Sequence, residues 1–400
     1  MVVAVVPRFE AVYCDGWDGG VVNPLTATVA QARDAAGEPY TVVLLLDGRR
    51  YAVLDLSWVD GYCCVSRFDT AGRQVSRHVL RGAADGELFL CRAFTWVGPP
   101  GVGEYEYPHV AARTSTTYRL SGERTDVIEP RGDLGARHES RSEQPPPRLP
   151  IPDFGRWQDL PGLGGDAPVE IVDAVWHSLP VRTATRPPWR PPRPLQPDGV
   201  EVLFTSGAQV ECYDRELRLS VHTAGQLRLP SGRLIAADPS SLDLGAKPFS
   251  VTVPPGSYPV SVSLATFADD PRHSRVTAAR LEVGARPAVR WALALRDGQE
   301  PIDLGYREFF GFGVDAGMAC FVDAGSIDRM QDVWRTLGGL VEPRYRTIGS
   351  GDMVAWSSGW GDGTYPTWIG YDTTGAVTCF VADMLLFSTP DDEDEDEDAV

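Results

Sequence analysis

Two aspartates stand among five glycines and two tryptophans in SSGWGDGTYPTWIGYDTTG, residues Ser357–Gly375. Carboxylates recur at strand-like ends through the C-terminal half: Asp238 in LIAADP, Asp315 and Asp323 in GFGVDAGMACFVD, Asp362 in GWGDG, Asp372 in GYDTTG and Asp383 in VADML. Aspartate is short and rigid. Several of them converging from neighbouring loops could hold Mg²⁺ or Ca²⁺ through oxygen ligands, with adjacent glycines letting backbone approach the ion, or could act as an acid and base pair. The candidate catalytic set on this reading is Asp238, Asp315, Asp323 and Asp362. The same residue type also builds turns by capping a backbone N–H two positions on, and Asp372-Thr-Thr-Gly fits an ordinary hairpin loop.

Other chemistries find less material. An EF-hand loop needs alternating oxygen ligands and a Glu at its twelfth position, whereas GWGDGTYPTWIG has one carboxylate in twelve residues. There is no G-x-S-x-G, and the C-terminal half has only His222 and His273. His273, in ADDPRHSR, reads as a loop histidine without a task, although Asp269 and Asp270 beside it would suit a general base. Cys320 and Cys379 alternate with apolar neighbours and read as small core residues. Gly311-Phe312-Gly313 lacks the third glycine of a dinucleotide turn. Lys247 is the only lysine, which leaves no candidate for a P-loop or Schiff-base lysine.

The elements that must position these residues follow from composition and periodicity. A chain of 400 residues that is 43% hydrophobic can bury two cores of domain size. Of its 33 prolines, 14 fall between Pro145 and Pro197, which marks a linker. The expected organisation is therefore an N-terminal β-rich domain over 1–138, a proline-rich linker with short ordered pieces over 139–199, a second β-rich domain over 200–388 and an acidic tail over 389–400. Both domains are expected to be α+β with β dominant, mostly antiparallel sheet with few helices.

In the first domain, Asn23-Pro24 would cap a helix running to Ala36, with Gly37 as its stop. The period then changes to two, and Asp47-Gly48, Asp69 to Gly72 and Ser121-Gly122 provide the turns of a meander. Within the linker, VEIVDAVWHSL (Val169 to Leu179) places Ile171, Val175 and Leu179 on one helical face and predicts a short helix. In the second domain, Ser326 would cap a helix carrying Ile327, Met330, Trp334 and Leu337, ended by Gly338-Gly339. Turns are expected at Pro230-Ser231-Gly232, Pro254-Pro255-Gly256 and Asp297-Gly298.

The formal charge is −18, of which the run Asp391 to Asp398 supplies eight acids. That run has no apolar face and predicts a disordered tail. The densest basic segment, Arg182 to Arg193, is too proline-rich to track phosphates from a helix, so nucleic acid is not an expected partner. Seven cysteines without a C-x-x-C suit neither a disulfide framework nor zinc, and point to a reduced cytoplasm. Neither a secretory leader nor an apolar run of membrane-spanning length is expected.

Taken in order, LRLPSGRLIAADP, VPPGSYPVSVSLA, RVTAARLEV, RWALAL, FFGFGVDAGMACFVD and SSGWGDGTYPTWIGYDTTGAVTCFVAD resemble the DUF4241 family of uncharacterised bacterial proteins from about Leu227 to Asp383. The resemblance implies shared motifs at Gly256, Tyr258 and Pro259, at Gly311 to Gly317 and at Gly359 to Gly363. It implies no activity. The residues themselves suggest a binding surface of Trp360, Asp362, Tyr258 and Gly313, an aromatic between glycines beside a fixed carboxylate. The same segment also reads as a hairpin with a core tryptophan. The expected function is an intracellular protein-binding module, of immunity or antitoxin type, with a basic protein partner, no membrane and no cofactor. The alternative is a divalent-metal-dependent enzyme built on the aspartates.

Overall fold

The computed structural model describes residues 6–386 except for 83–85, 105–106, 131–134, 164–168, 175, 177–178, 183–188, 213–214, 243–244 and 338–343. The acidic run Asp391–Asp398 and the expected helix stop Gly338-Gly339 lie outside the described residues. The chain divides into two compact units, Met1–Pro192 with Glu300–Asp303, and Arg193–Gln299 with Leu304–Val400. Both are β-dominated, with helices few and short. No helix among the described residues is long and apolar enough to cross a membrane.

The N-terminal unit contains β1 (Arg8–Trp17), β2 (Val21–Leu25), α1 (Ala27–Ala36), β3 (Tyr40–Leu46), β4 (Arg49–Ser57), β5 (Tyr62–Phe68), β6 (Gln74–Gly82) and β7 (Leu88–Val97). It continues with α2 (Tyr107–Val110), β8 (Ala112–Tyr118), β9 (Glu123–Glu129), β10 (Arg137–Ser142), β11 (Glu170–Asp173) and β12 (Val181–Arg182). From β3 to β10 each strand pairs antiparallel with the next, one long meander in a single sheet, while β1 adds beside β3 and is followed by β2 and β12. Asp47 (φ 52°) and Gly48 (φ 72°) both adopt the left-handed region, which suits the right-handed twist of the β3–β4 hairpin.

Two local expectations are corrected here. The α1 cap is Thr26, whose hydroxyl accepts from Val29 N at 3.3 Å, while Asn23 (φ 48°) and Pro24 belong to β2 opposite Cys14. Gly37 does end the helix, its N–H reaching the last carbonyls. The segment read as a helix over Val169 to Leu179 instead contains β11, parallel to β1 with Arg8 opposite Glu170. Its Ile171-Val172 pair is β-branched, and the open edge of β1 satisfies its backbone, which an isolated short helix could not match. The proline-rich stretch contributes Phe154, Trp157, Leu160 and Leu163 to the unit's main core, where they pack with Tyr13, Tyr40, Leu54 and Leu88.

The C-terminal unit has β13 (Gln209–Cys212), β14 (Arg215–Leu229), β15 (Leu234–Ala237), β16 (Gly256–Phe267), β17 (Asp270–Glu282), β18 (Arg290–Leu293), β19 (Gly311–Val314) and β20 (Met318–Asp323). After α3 (Ile327–Leu337) come β21 (Tyr345–Ile348), β22 (Met353–Ser357), β23 (Gly363–Tyr371) and β24 (Val377–Asp383). One sheet runs β13-β14-β16-β17-β24-β23-β18, with β19 also on β23, and a second runs β15-β20-β22-β21. Their facing sides share one core, in which Leu227, Val260, Val262, Leu281 and Phe380 meet Phe321, Val354 and Trp356. Met330 and Trp334 of α3 cover the outer face of the second sheet. Leu203 and its neighbours cover the outer face of the first, over Trp368 and Val381.

The start of α3 is also corrected. Asp323, not Ser326, provides the capping oxygen: it accepts from Gly325 N at 2.8 Å over a 3-10 turn, Ala324–Ser326, that precedes the helix. Leu337 is 37% exposed, so the buried stripe ends at Trp334. His273 lies on β17 with its ring 4.4 Å from that of Phe267, not in a loop. Gly311 to Val314 forms a strand, so no dinucleotide turn exists there.

Candidate functional site

Asp238 directly follows β15, is 1% exposed and caps the 3-10 turn Pro239–Ser241. One carboxylate oxygen accepts from Ser240 N at 2.7 Å. The other reaches across to the turn between β19 and β20 and accepts from Asp315 N and Ala316 N, each at 2.9 Å. The next amide of that turn, Gly317 N, donates to Asp362 Oδ1 at 3.0 Å. Two carboxylates from loops far apart in sequence thus hold three successive N–H groups of one turn.

The partner loop, between β22 and β23, is braced from several directions. Ser358 N donates to Gly317 O at 3.0 Å, and the Ser358 and Tyr365 hydroxyls both donate to Gly361 O, at 2.7 and 2.9 Å. Arg275 Nη1, from β17, donates to Gly359 O at 2.6 Å. Glycine is required at 359: its φ is +70°, and a Cβ there would stand 2.3 Å from Val276 O. The loop carries Trp360 outward at 38% exposure, with the Arg275 guanidinium 4.9 Å from its ring centre. The core tryptophans of the region are Trp356 and Trp368, not Trp360.

The structure therefore brings together Asp238, Asp315, Asp362 and Trp360 but leaves the remaining candidates elsewhere. Asp323 is fully buried at the far end of β20, about 20 Å along the strand from Gly317 at the usual rise. There it accepts from Ser231 N, Ser231 Oγ and Gly325 N. No ion bound at Asp362 can use it, because metal–oxygen distances are about 2.1–2.6 Å. Tyr258 donates its hydroxyl to Pro254 O and packs on the main core. Gly313 is exposed on β19, with open space where a Cβ would project. Asp372 is a turn residue: it accepts from Thr374 N and Ala376 N and pairs with Arg286.

Asp238 spends both oxygens on amides, so binding a cation there would take the acceptor from the Ser240, Asp315 and Ala316 N–H groups. Among the described residues no three His, Cys, Asp or Glu side chains are grouped to hold a metal ion. All seven cysteines are free and buried, and burial raises the Cys320 thiol well above its ordinary pKa, which keeps it protonated. Arg275 went unnoticed in the sequence. Nothing near Ser274-Arg275-Val276 signals a residue that meets a loop 84 positions later.

The unit is thus a two-sheet β sandwich with a helix on one face, whose strand-end loops are pinned by aspartates. Residues 227–382 match the family model described as a protein of unknown function, DUF4241, which bears out the resemblance read from the motifs. No curated protein and no solved structure matches the chain.

Proposed function

We propose that this protein is a protein-binding module, of immunity or antitoxin type, whose C-terminal unit offers the Trp360 loop to a basic partner in the cytoplasm. The observation that carries this reading is a large aromatic held outward on a loop that cannot easily move, next to the exposed carboxylates of Asp315 and Asp362. Rigid aromatic anchors lose little entropy on binding, and neighbouring acids favour a cationic partner. The excess of acidic over basic residues, 55 against 37, adds long-range attraction for such a partner. Free buried thiols suit a reducing compartment. The metal-enzyme alternative has weaker support, since the most buried carboxylates at the site are committed to backbone amides.

The test is capture from an extract of the source cells with three baits: the natural chain, Trp360→Ala, and Val289→Ala as a control at another exposed apolar residue of the same unit. A partner retained by the natural chain and by Val289→Ala, lost with Trp360→Ala and weakened by added salt supports the reading. Identical captures by all three baits overturn it.

A further inference from the structure

β19 and the start of β23 form a two-stranded ribbon with unlike faces. Phe312 stands opposite Tyr365, Gly313 opposite Thr364 and Val314 opposite Gly363. Phe312, Val314 and Tyr365 are buried in the main core. Gly313 and Thr364 point the other way and are exposed. Continuing the ladder by one step places Asp315 opposite Asp362 on that same outward face, and both are exposed.

Like charges facing each other across a sheet repel. Nothing in the chain relieves this pair: among the described residues neither carboxylate is in an ion pair, and the Asp315 carboxylate accepts no hydrogen bond. Asp362 spends one oxygen on Gly317 N at 3.0 Å and keeps the other free. The turn does not need the Asp315 side chain, because the Asp315 and Ala316 amides are held by Asp238. The space around the pair is open as well. A Cβ added at Gly313, Gly317 or Gly361 would meet nothing within 4 Å. Trp360, 38% exposed on the same loop as Asp362, sets an aromatic ring beside the two acids.

On the binding role proposed above, we infer that this ribbon face seats an arginine side chain of the partner. Its guanidinium bridges the Asp315 carboxylate and the free oxygen of Asp362, and its aliphatic stem lies over Gly313. The planar guanidinium carries donors along more than one edge, so it can serve two carboxylates whose Cβ atoms stand roughly 5 Å apart across a ladder. A lysine ammonium is a compact, strongly hydrated point charge and lacks that fork. Arginine is also the better partner for an aromatic face, as Arg275 already shows over Trp360.

Titration of the full chain with two synthetic peptides tests this, acetyl-Gly-Gly-Arg-Gly-Gly-amide and its lysine counterpart, followed by NMR at the backbone amides of Gly313, Gly317 and Thr364. The arginine peptide should shift these amides, leave Gly375 in the Asp372 turn unmoved, and bind about tenfold more tightly than the lysine peptide. Asp315→Asn should abolish that preference. Gly313→Val adds a branched side chain at a strand position with no left-handed φ, so it should keep the melting temperature of the natural chain while blocking both peptides. No shift at the ribbon amides, equal affinity for the two peptides, or unchanged binding in both variants would overturn the arginine seat. If that happens while Trp360-dependent capture persists, the binding role stands without it; loss of the capture as well removes both.

Discussion

The two units treat their acidic residues differently. In the N-terminal unit, acids are chiefly answered by arginine side chains: Asp15 by Arg33, Asp69 by Arg73, Asp126 by Arg124 and Arg141, and Glu129 by Arg113. In the C-terminal unit, the strand-end acids are answered by backbone amides, as at Asp238, Asp323, Asp362, Asp372 and Asp383. Arginine pairs occur there too, at Asp269 with Arg215, Glu282 with Arg280 and Asp352 with Arg329, and Asp372 adds Arg286 to its amides. A side-chain ion pair at the surface is screened by salt and contributes little, whereas an amide held by the chain's own geometry can be neither screened nor turned away. The C-terminal loops are therefore fixed in place, which is what the proposed binding role requires of them.

The comparison is tested most severely at Asp238. Replacing this buried carboxylate with alanine removes the acceptor of three amides and should destabilise the C-terminal unit by about 2–4 kcal/mol in urea unfolding, with Asp238→Asn costing less. If Asp238→Ala unfolds like the natural chain, the amide-held loops are not what orders this unit. Next in size is Gly359→Ala, which combines a left-handed backbone with the approach to Val276 O and should cost about 2 kcal/mol. Trp360 would lose its position, so partner capture should fall with it.

A smaller effect is expected in acid. The Thr374 hydroxyl, followed by the Thr374 and Ala376 amides and Arg286, pulls the Asp372 carboxyl down to about 2. A group depressed by folding contributes stability above its unfolded value near 3.8 and loses it as pH falls toward 2. Melting curves of Asp372→Ala should therefore converge on those of the natural chain as pH drops from 4 to 2; a constant gap would show that the charge is irrelevant to the turn. Smallest of all is Arg113→Met, which removes the part-exposed pair with Glu129 and should change stability by at most about 0.5 kcal/mol. Added NaCl should speed exchange in β8 and β9 slightly while leaving the Gly317 amide unaffected, and the reverse pattern would break the comparison.

Features set by neighbouring residues were legible in the sequence. Asp47-Gly48, Gly37, Gly232 and the Asp372 turn stand where the residue types place them, because a positive φ or an Asx bond is a local demand. What failed was non-local. β11 became a strand because β1 had an edge to share, and Trp157 joined a core through contacts with Tyr40 and Phe154 that no periodicity inside a proline-rich stretch encodes. At the site, the types of Asp238, Asp315 and Asp362 were readable. That Asp238 holds the amide of Asp315, 77 residues away, was not, because a carboxylate ready for a cation and one ready for an N–H look alike in sequence.

The pairing of β17 with β24, Ala278 opposite Asp383, has a consequence for how the chain is made. In the N-terminal meander each strand from β3 to β10 finds its neighbour as soon as the next hairpin emerges, so that part of the sheet can grow during synthesis. β14, β16 and β17 also form early, but β24 leaves the ribosome roughly a hundred residues after β17. Until then the β17 edge is open, and Val260, Val262, Ala279 and Leu281 lack Phe380 and Ala382, so the growing chain presents a sticky, unpaired strand throughout the synthesis of the intervening segment.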